Sequence, residues 1–484
     1  MSTEWSSTQA RPPSDGGPSL DLVLHLDRSQ GLRHGLEAAL REAIRSGRLR
    51  VGTSLPSTRT LAADLEVARG TVTAAYAQLT AEGYLAARQG APTRVRWRPD
   101  VLASEEAGGD PVPTERWDLR AGWPDPASFP RQAWAAATRR VLRGAATGAF
   151  GYGDPFGHLH LRRALAGYLG RAREVRTRPD RMLVCSGYTQ ALDLLCRVLR
   201  SRGAKAVAME DPCAPRYRRI AEAAGLRVVA VPCDDDGLRV DVLRGLDVAA
   251  VVTTPAHQYP LGVTLAPARR TRLVDWAGRT GAIVVEDDYD GEFRYDRQPV
   301  GAVQALDPDR VVYVGTASKT LSPALRLGWL ALPGWLVEPL GEAKSLADRG
   351  SGVLDQLVLA DLIERGDLDR HLRLLRQSYR RRRDLLVAGL RERGGPPPTG
   401  IAAGLHAVVP LDLGRTESDV LARARSLGIA LNGLGDYWYD PGRVREQALV
   451  VGYGAPAGSA YQPTLSRFLD LWSGDDDARG RPRR

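Results

Sequence analysis

Residues 311–332 read VVYVGTASKTLSPALRLGWLAL, and the rest of the chain is organised around them. Two apolar runs, 311–314 and 327–332, have the β-branched and apolar content of buried strands, so the polar stretch 316–326 becomes a loop presented between them. Loops at strand ends are where α/β sheets hold ligands. Composition sharpens the point, because only three of the 67 basic residues are lysines (Lys205, Lys319 and Lys344), and one of them lies in this loop.

A lysine amine can do what a guanidinium cannot. Desolvated or set near other cations, it loses its proton and attacks a carbonyl to form a Schiff base. The same loop offers hydroxyls at Thr316 and Ser318 and a planar fork at Arg326, which suit a phosphate. An aldehyde that carries a phosphate is pyridoxal 5'-phosphate. A lone Ser-Lys would be read more simply as a solvated lysine beside a capping serine, but the full T-x-S-K-x-x-x-P-x-x-R string favours the cofactor.

Two further stretches fit that chemistry. The run 283–287 leads straight into Asp287, Asp288, Tyr289 and Asp290. A pyridine nitrogen stays protonated only against a carboxylate, and Asp287 at a strand end is placed to be that partner. Tyr289, two residues on in an extended chain, falls on the same side and can reach the ring hydroxyl oxygen. The plainer alternative is a turn with solvated acids. After the strand 182–185, Gly187, Tyr188 and Thr189 open a helix, and free N–H groups at a glycine-led helix start supply a second phosphate anchor.

Bulk properties bound the rest. At 484 residues the chain is long enough for more than one domain. No apolar run reaches membrane-spanning length and the first residues lack a secretory apolar core, so a cytoplasmic chain is expected. Cys185, Cys196, Cys213 and Cys233 show no C-x-x-C spacing, which predicts reduced thiols and no metal site. A net charge of +10 and pI of 9.6 permit an acidic partner without specifying one.

In chain order, residues 1–20 are expected as a disordered tail and 21–98 as a DNA-binding domain. A linker is expected over 99–116, a mainly parallel α/β domain with helices on both faces over 117–473, and a second tail over 474–484. A first helix from Gly31 aligns Leu36, Leu40, Ala43 and Ile44 and stops at Gly47. Ser57 caps a second, and a third carries Val72, Tyr76 and Leu79 inward. Residues 84–87 and 93–97 read as a two-stranded wing. Three helices and a wing make a winged helix-turn-helix whose third helix enters the major groove of double-stranded DNA.

The string LPSTRTLAADLEVARGTVTAAYAQLTAEGYLAARQG (55–90) resembles the DNA-binding domain of GntR-type regulators. That resemblance implies that Arg59 and Arg69 contact bases or phosphates, that Thr71 and Thr73 assist, and that Gly90 at the wing tip reaches the minor groove. Over nearly the whole chain the sequence resembles MocR/GabR-type regulators, in which such a domain precedes a fold-type I aminotransferase-like domain. The strings FGYGDPFGHLHLRRALAGYL, TPAHQYPLG, EDDYDGEFRY and TASKTLSPALRLGW carry that resemblance. It implies Lys319 as the Schiff-base lysine, Asp287 and Tyr289 as ring partners, and Thr316, Ser318, Arg326, Gly187, Tyr188 and Thr189 as the phosphate site. Tyr152 would reach the phosphate of the other subunit, so a homodimer is expected.

Two departures bear on the amino-acid side of the site. Cys213 and Ala214 follow Glu210-Asp211-Pro212 where relatives commonly place glycine and an aromatic residue, and Ala455 stands where amino-acid-binding relatives place an arginine. Arg216 or Arg218 is the replacement cation expected from sequence. The function these features imply is a regulator sensing pyridoxal phosphate, or its aldimine with a small amine or amino acid, and controlling vitamin B6 or amino-compound genes. An active aminotransferase carrying a DNA-binding arm is the competing reading, and a cofactor-free dimerisation domain is a third.

Overall fold

The computed structural model describes residues 31–88, 91–96, 116–295, 300–412, 414–440 and 446–473. Both expected tails lie outside the described residues, as do Gly90 and all of the expected linker except Arg116. The chain divides into two compact units, Met1–Val112 and Pro113–Arg484.

In the first unit, helix α1 (Leu32–Arg45) buries Leu36, Leu40, Ala43 and Ile44, and Gly47 turns the chain away at φ 78°. Ser57 Oγ accepts from the Thr60 N–H at 3.1 Å and starts α2 (Thr58–Asp64). Helix α3 (Arg69–Ala81) packs Val72, Ala75, Tyr76 and Leu79 inward, and the Tyr76 hydroxyl donates to the Pro56 carbonyl at 3.0 Å. Strands β1 (Leu85–Arg88) and β2 (Ala91–Val95) pair antiparallel and close the unit.

The second unit begins with β3 (Trp117–Asp118), α4 (Arg131–Gly144) and α5 (Leu159–Arg173). Strands alternate with helices at first and then follow one another in two groups of three: β4 (Met182–Cys185), α6 (Tyr188–Ser201), β5 (Ala206–Asp211), α7 (Pro215–Ala223), β6 (Arg227–Asp234), β7 (Gly237–Leu238), β8 (Ala250–Thr253), α8 (Pro267–Thr280), β9 (Ile283–Asp288), β10 (Val311–Thr316) and β11 (Gly328–Ala331). They form one eight-stranded sheet in the order β4-β11-β10-β9-β8-β5-β6-β7. Successive residues feed opposite layers. Met182 and Val184 join one core cluster and Leu183 and Cys185 another, so both faces are covered and the strands read as unbroken apolar runs.

Helices α9 (Gly334–Asp348), α10 (Val353–Glu364) and α11 (Asp367–Glu392) follow. A smaller antiparallel sheet then joins β12 (His406–Pro410) to two later strands, 448–452 and 432–433. Among the described residues no helix is long and apolar enough to cross a membrane.

Strand direction places the site. The central pairs are parallel, but β11 runs antiparallel to both β10 and β4. The 317–327 loop is therefore a return between neighbouring strands, and Thr316 faces Gly328, which in turn faces Cys185. Since Val314 pairs with Asp287, the ends of β4, β9, β10 and β11 converge along one edge. The convergence requires a bare backbone at Gly328, because a Cβ there would lie 2.7 Å from Gly187 Cα. Gly328→Ala is expected to cost about 1–3 kcal/mol through overpacking, read as a lower urea midpoint for the second unit. An unchanged midpoint would contradict the close approach.

Candidate functional site

Lys319 lies three residues beyond β10, and its Nζ donates to the Gly122 carbonyl at 2.5 Å. Gly122 has φ 78°, and a Cβ there would come within 3.7 Å of the Tyr259 hydroxyl and 3.8 Å of Lys319 Nζ, so phenol and amine flank one backbone point. Burial lowers the Lys319 pKa, because the ammonium loses hydration, while Asp287 and Asp290 pull the other way. The result is an amine poised toward its neutral, nucleophilic form.

Asp287, at the end of β9, is 3 % exposed, and no hydrogen bond reaches its carboxyl from the described residues. Burial, reinforced by the neighbouring charge of Asp288, pushes its pKa well above the usual range, and Lys319 opposes the shift. A buried carboxyl in that state is a place for a cation. It lines a narrow cavity with Tyr188, Cys213, Ala214, Tyr217 and Tyr259. Among the described residues the Tyr188 hydroxyl is buried without a partner, and its ring lies 4.6 Å from that of Tyr217.

The expected phosphate residues meet where β4 joins α6. Gly187 takes φ 88°, and the first intrahelical bond runs from Gln190 N–H to the Gly187 carbonyl at 3.1 Å, so the Tyr188 and Thr189 amides precede the helical ladder. Arg326, exposed and held at φ 50°, donates to the Ser186 carbonyl, and a Cβ on Gly187 would stand 3.4 Å from its Nη1. Thr316 is turned inward. Its hydroxyl lies 2.9 Å from Ser318 Oγ and 3.2 Å from the Leu327 carbonyl, and it also accepts from the Ser318 N–H. It thus orders the loop while Ser318 stands nearer the surface.

The remaining expected residues have the following surroundings. Strand β9 ends at Asp288, and the Tyr289 hydroxyl sits 3.0 Å from His257 Nδ1, itself 2.8 Å from Asp290 Oδ2. Arg216 is exposed, and Arg218 donates to the Tyr437 carbonyl at 3.2 Å while its guanidinium lies over the Tyr439 ring. Beside Ala455, Arg382 donates to the Tyr453, Gly454 and Pro456 carbonyls and to Asp125, leaving that buried guanidinium committed. Tyr152, expected to reach the phosphate of the other subunit, is 85 % exposed beneath the Arg349 guanidinium.

Sequence reasoning assigned no role to Gly122, Tyr259, His257 or Glu210. Glu210 anchors the turn before Tyr259: its carboxyl accepts from the Thr253 hydroxyl and from the Thr254 N–H and hydroxyl. Thr254 Oγ1 then accepts from the Tyr259 N–H at 3.0 Å. The signal available was the position of 254–262 at the end of β8, level with the ends of β9 and β10.

In the first unit, Arg59 and Arg69 are exposed, with Arg69 Nε 3.5 Å from Thr58 Oγ1. Thr73 is exposed and bonded to the Arg69 carbonyl, and Thr71 is half-buried. A Cβ on Gly70 would meet open space, so the start of α3 presents bare backbone outward. Gly90 lies outside the described residues.

A desolvated amine, a buried carboxyl with no hydrogen bond from the described residues, and the glycine-led helix start beside Arg326 lie on one sheet edge and fit a phosphorylated pyridoxal. Bound there, that group supplies an aldehyde for an amine and a ring that withdraws electrons when its nitrogen is protonated. Lys319 would hold the aldehyde carbon, Asp287 the ring nitrogen, and Arg326 with residues 187–189 the phosphate.

Comparison with known proteins agrees in fold. Residues 118–430 match the family described as aminotransferase class I and II, and residues 32–95 match the bacterial regulatory proteins of the gntR family. The chain is 33 % identical to the pyridoxine biosynthesis transcriptional regulator PdxR of Corynebacterium glutamicum, over 94 % of this chain and 99 % of that one. It is 34 % identical to the probable rhizopine catabolism regulatory protein MocR of Rhizobium meliloti, over 76 % and 78 % of the two chains. A kynurenine aminotransferase of Pyrococcus horikoshii superposes with a TM-score of 0.66 at 27 % identity, covering 74 % of this chain and 91 % of that one.

Because burial disfavours the ammonium, labelling of Lys319 by an amine-specific reagent in the cofactor-free protein should titrate below the ~10.4 of an ordinary lysine. Peptide mapping against pH measures it. A midpoint at or above that value would contradict the desolvation.

Proposed function

The chain belongs to the MocR-type regulators, with a GntR-family DNA-binding domain ahead of an aminotransferase-like domain whose cofactor is pyridoxal 5'-phosphate, and from that premise we propose that the cofactor is the signal. Bound alone or joined to a small amine, it favours one arrangement of a homodimer and so sets the spacing of the two winged helices on the operator. The genes controlled belong to vitamin B6 or amino-compound metabolism; of the relatives above, one is named for pyridoxine biosynthesis and the other for rhizopine catabolism.

One contrast carries this reading. The cofactor side has its amine, its carboxyl and its anion cup, whereas on the amino-acid side Ala455 replaces a cation and Arg218 and Arg382 are taken by backbone carbonyls. A missing bidentate partner costs a substrate carboxylate about 1.5–3 kcal/mol of binding. Recognition of the cofactor is thus better equipped than turnover of an amino acid.

Control of this kind needs a ligand that binds two states with different affinity. With a duplex operator selected on the full-length protein, pyridoxal phosphate is expected to change affinity by about 5-fold or more, the lower end of ordinary allosteric coupling. Lys319→Ala should abolish the change and leave cofactor-free binding intact. Fluorescence anisotropy reads both. Equal affinity with and without cofactor would overturn the proposal, and complete transamination at about 10 per second would favour the enzyme reading.

A further inference from the structure

Of the three lysines, Lys344 is fully buried at 0 % exposure, one turn before the end of α9. Its Nζ donates to Asp348 Oδ1 at 2.6 Å and to Ser351 Oγ at 3.2 Å. Asp348 also accepts from the Gly350 N–H at 2.9 Å and, on its other oxygen, from Gln190 Nε2 at 2.8 Å. Gln190 Oε1 accepts from the Ser186 N–H at 2.8 Å, and the Ser186 carbonyl receives Arg326. A continuous polar chain therefore runs from Arg326 and the turn at 186–190 to the segment that follows α9.

Three local choices along it are unfavourable on their own. A carboxylate on the last residue of a helix faces the negative end of the macrodipole. Arg349, next in the chain, adopts φ 59°, a conformation that side-chain-bearing residues seldom take. A wholly buried ammonium must find partners for its donors. Lysine suits that position in an arginine-rich chain, because a compact ammonium directs its donors to Asp348 and Ser351 where a planar fork would not fit. Burial raises the Asp348 pKa, but hydrogen bonds from Lys344 and Gln190 outweigh it and hold the carboxyl below the usual range. Clustered departures from local preference are expected where a function constrains the fold.

We propose that Asp348 is a positioning residue for the cofactor phosphate. Through Gln190 it holds the turn at 186–189 in its anion-accepting conformation. Through Lys344 and Gly350 it fixes that turn to the segment carrying Arg349, whose guanidinium lies 4.5 Å over the Tyr152 ring. Residues 348–355 and 149–153 together line a cavity of about 580 Å³, so the phosphate turn and this wall share one acid. The inference rests on the reading that Arg326 and residues 187–189 hold a phosphate.

Pyridoxal carries the same 4-aldehyde without the phosphate, and its closure to a hemiacetal through the free 5'-hydroxyl is a property of the ligand that weighs equally on every variant. The change in the ratio of the two affinities between wild-type and variant full-length protein, titrated by absorbance, therefore isolates the anion cup. Wild type is expected to prefer the phosphorylated form. Asp348→Ala should weaken pyridoxal phosphate at least tenfold and pyridoxal less than twofold, and Gln190→Leu, which cuts the same link without stranding Lys344, should lower the ratio likewise. Should Asp348→Ala fail to fold, the ratio for Asp348→Asn decides, because that variant keeps an oxygen for Lys344 and loses the acceptor for Gln190 Nε2 while Gln190 still accepts from the Ser186 N–H. Equal weakening of both ligands, or an unchanged ratio, would overturn the positioning role. A wild type with no preference would sink the phosphate reading itself, and this proposal with it.

Discussion

Desolvation of an amine and a carboxyl at the ends of neighbouring strands is the constraint on which the second unit is built. Burial pushes Lys319 and Asp287 in opposite directions, each toward its neutral form, and neither is relieved by a hydrogen-bonded ion pair with the other. Such an arrangement costs stability in isolation and becomes favourable when a ligand supplies both an electrophilic carbon and a cationic ring nitrogen. The sheet order, the antiparallel return of β11 and the bare backbones of Gly187 and Gly328 serve to hold these groups on one edge.

The surroundings keep that tension local. Asp288, adjacent to Asp287, is bound by buried Arg173 at 2.6 Å and by the Tyr313 hydroxyl at 2.7 Å, so its charge is compensated from behind the sheet. Glu210 ties the Thr254 turn, and His257 with Asp290 occupies the Tyr289 hydroxyl. Each network engages its own polar atoms; among the described residues the Tyr188 hydroxyl has no partner, and the Asp287 carboxyl lines the same cavity.

Particular residues show what sequence could and could not convey. Strands buried on both faces leave continuous apolar runs, so 182–185 was readable to the residue and 311–314 as the body of a strand that runs on to Thr316. The run at 327–332 carries no sign of direction, and its antiparallel pairing appears only in the structure. Local spacing identified the lysine loop, yet it could not show that Thr316 turns inward or that the chain bends at Tyr289. Contacts between distant residues were invisible: Gln190 and Asp348 are 158 residues apart, and Arg382 and Asp125 are 257 apart. The burial of Lys344 likewise depends on tertiary packing, since an i,i+4 Lys–Asp pair is ordinarily a solvated helix face.

The two units divide the work by chemistry, one presenting exposed arginines and bare backbone at the start of α3, the other a dry edge with a single amine. Everything the second unit is assigned depends on that amine carrying the cofactor. The direct measurement is peptide mass after incubation of the full-length protein with pyridoxal phosphate and reduction by borohydride. The account predicts one pyridoxyl group on the peptide containing Lys319 and none on those containing Lys205 or Lys344. An unmodified Lys319 peptide, or label spread over all three lysines, would contradict it.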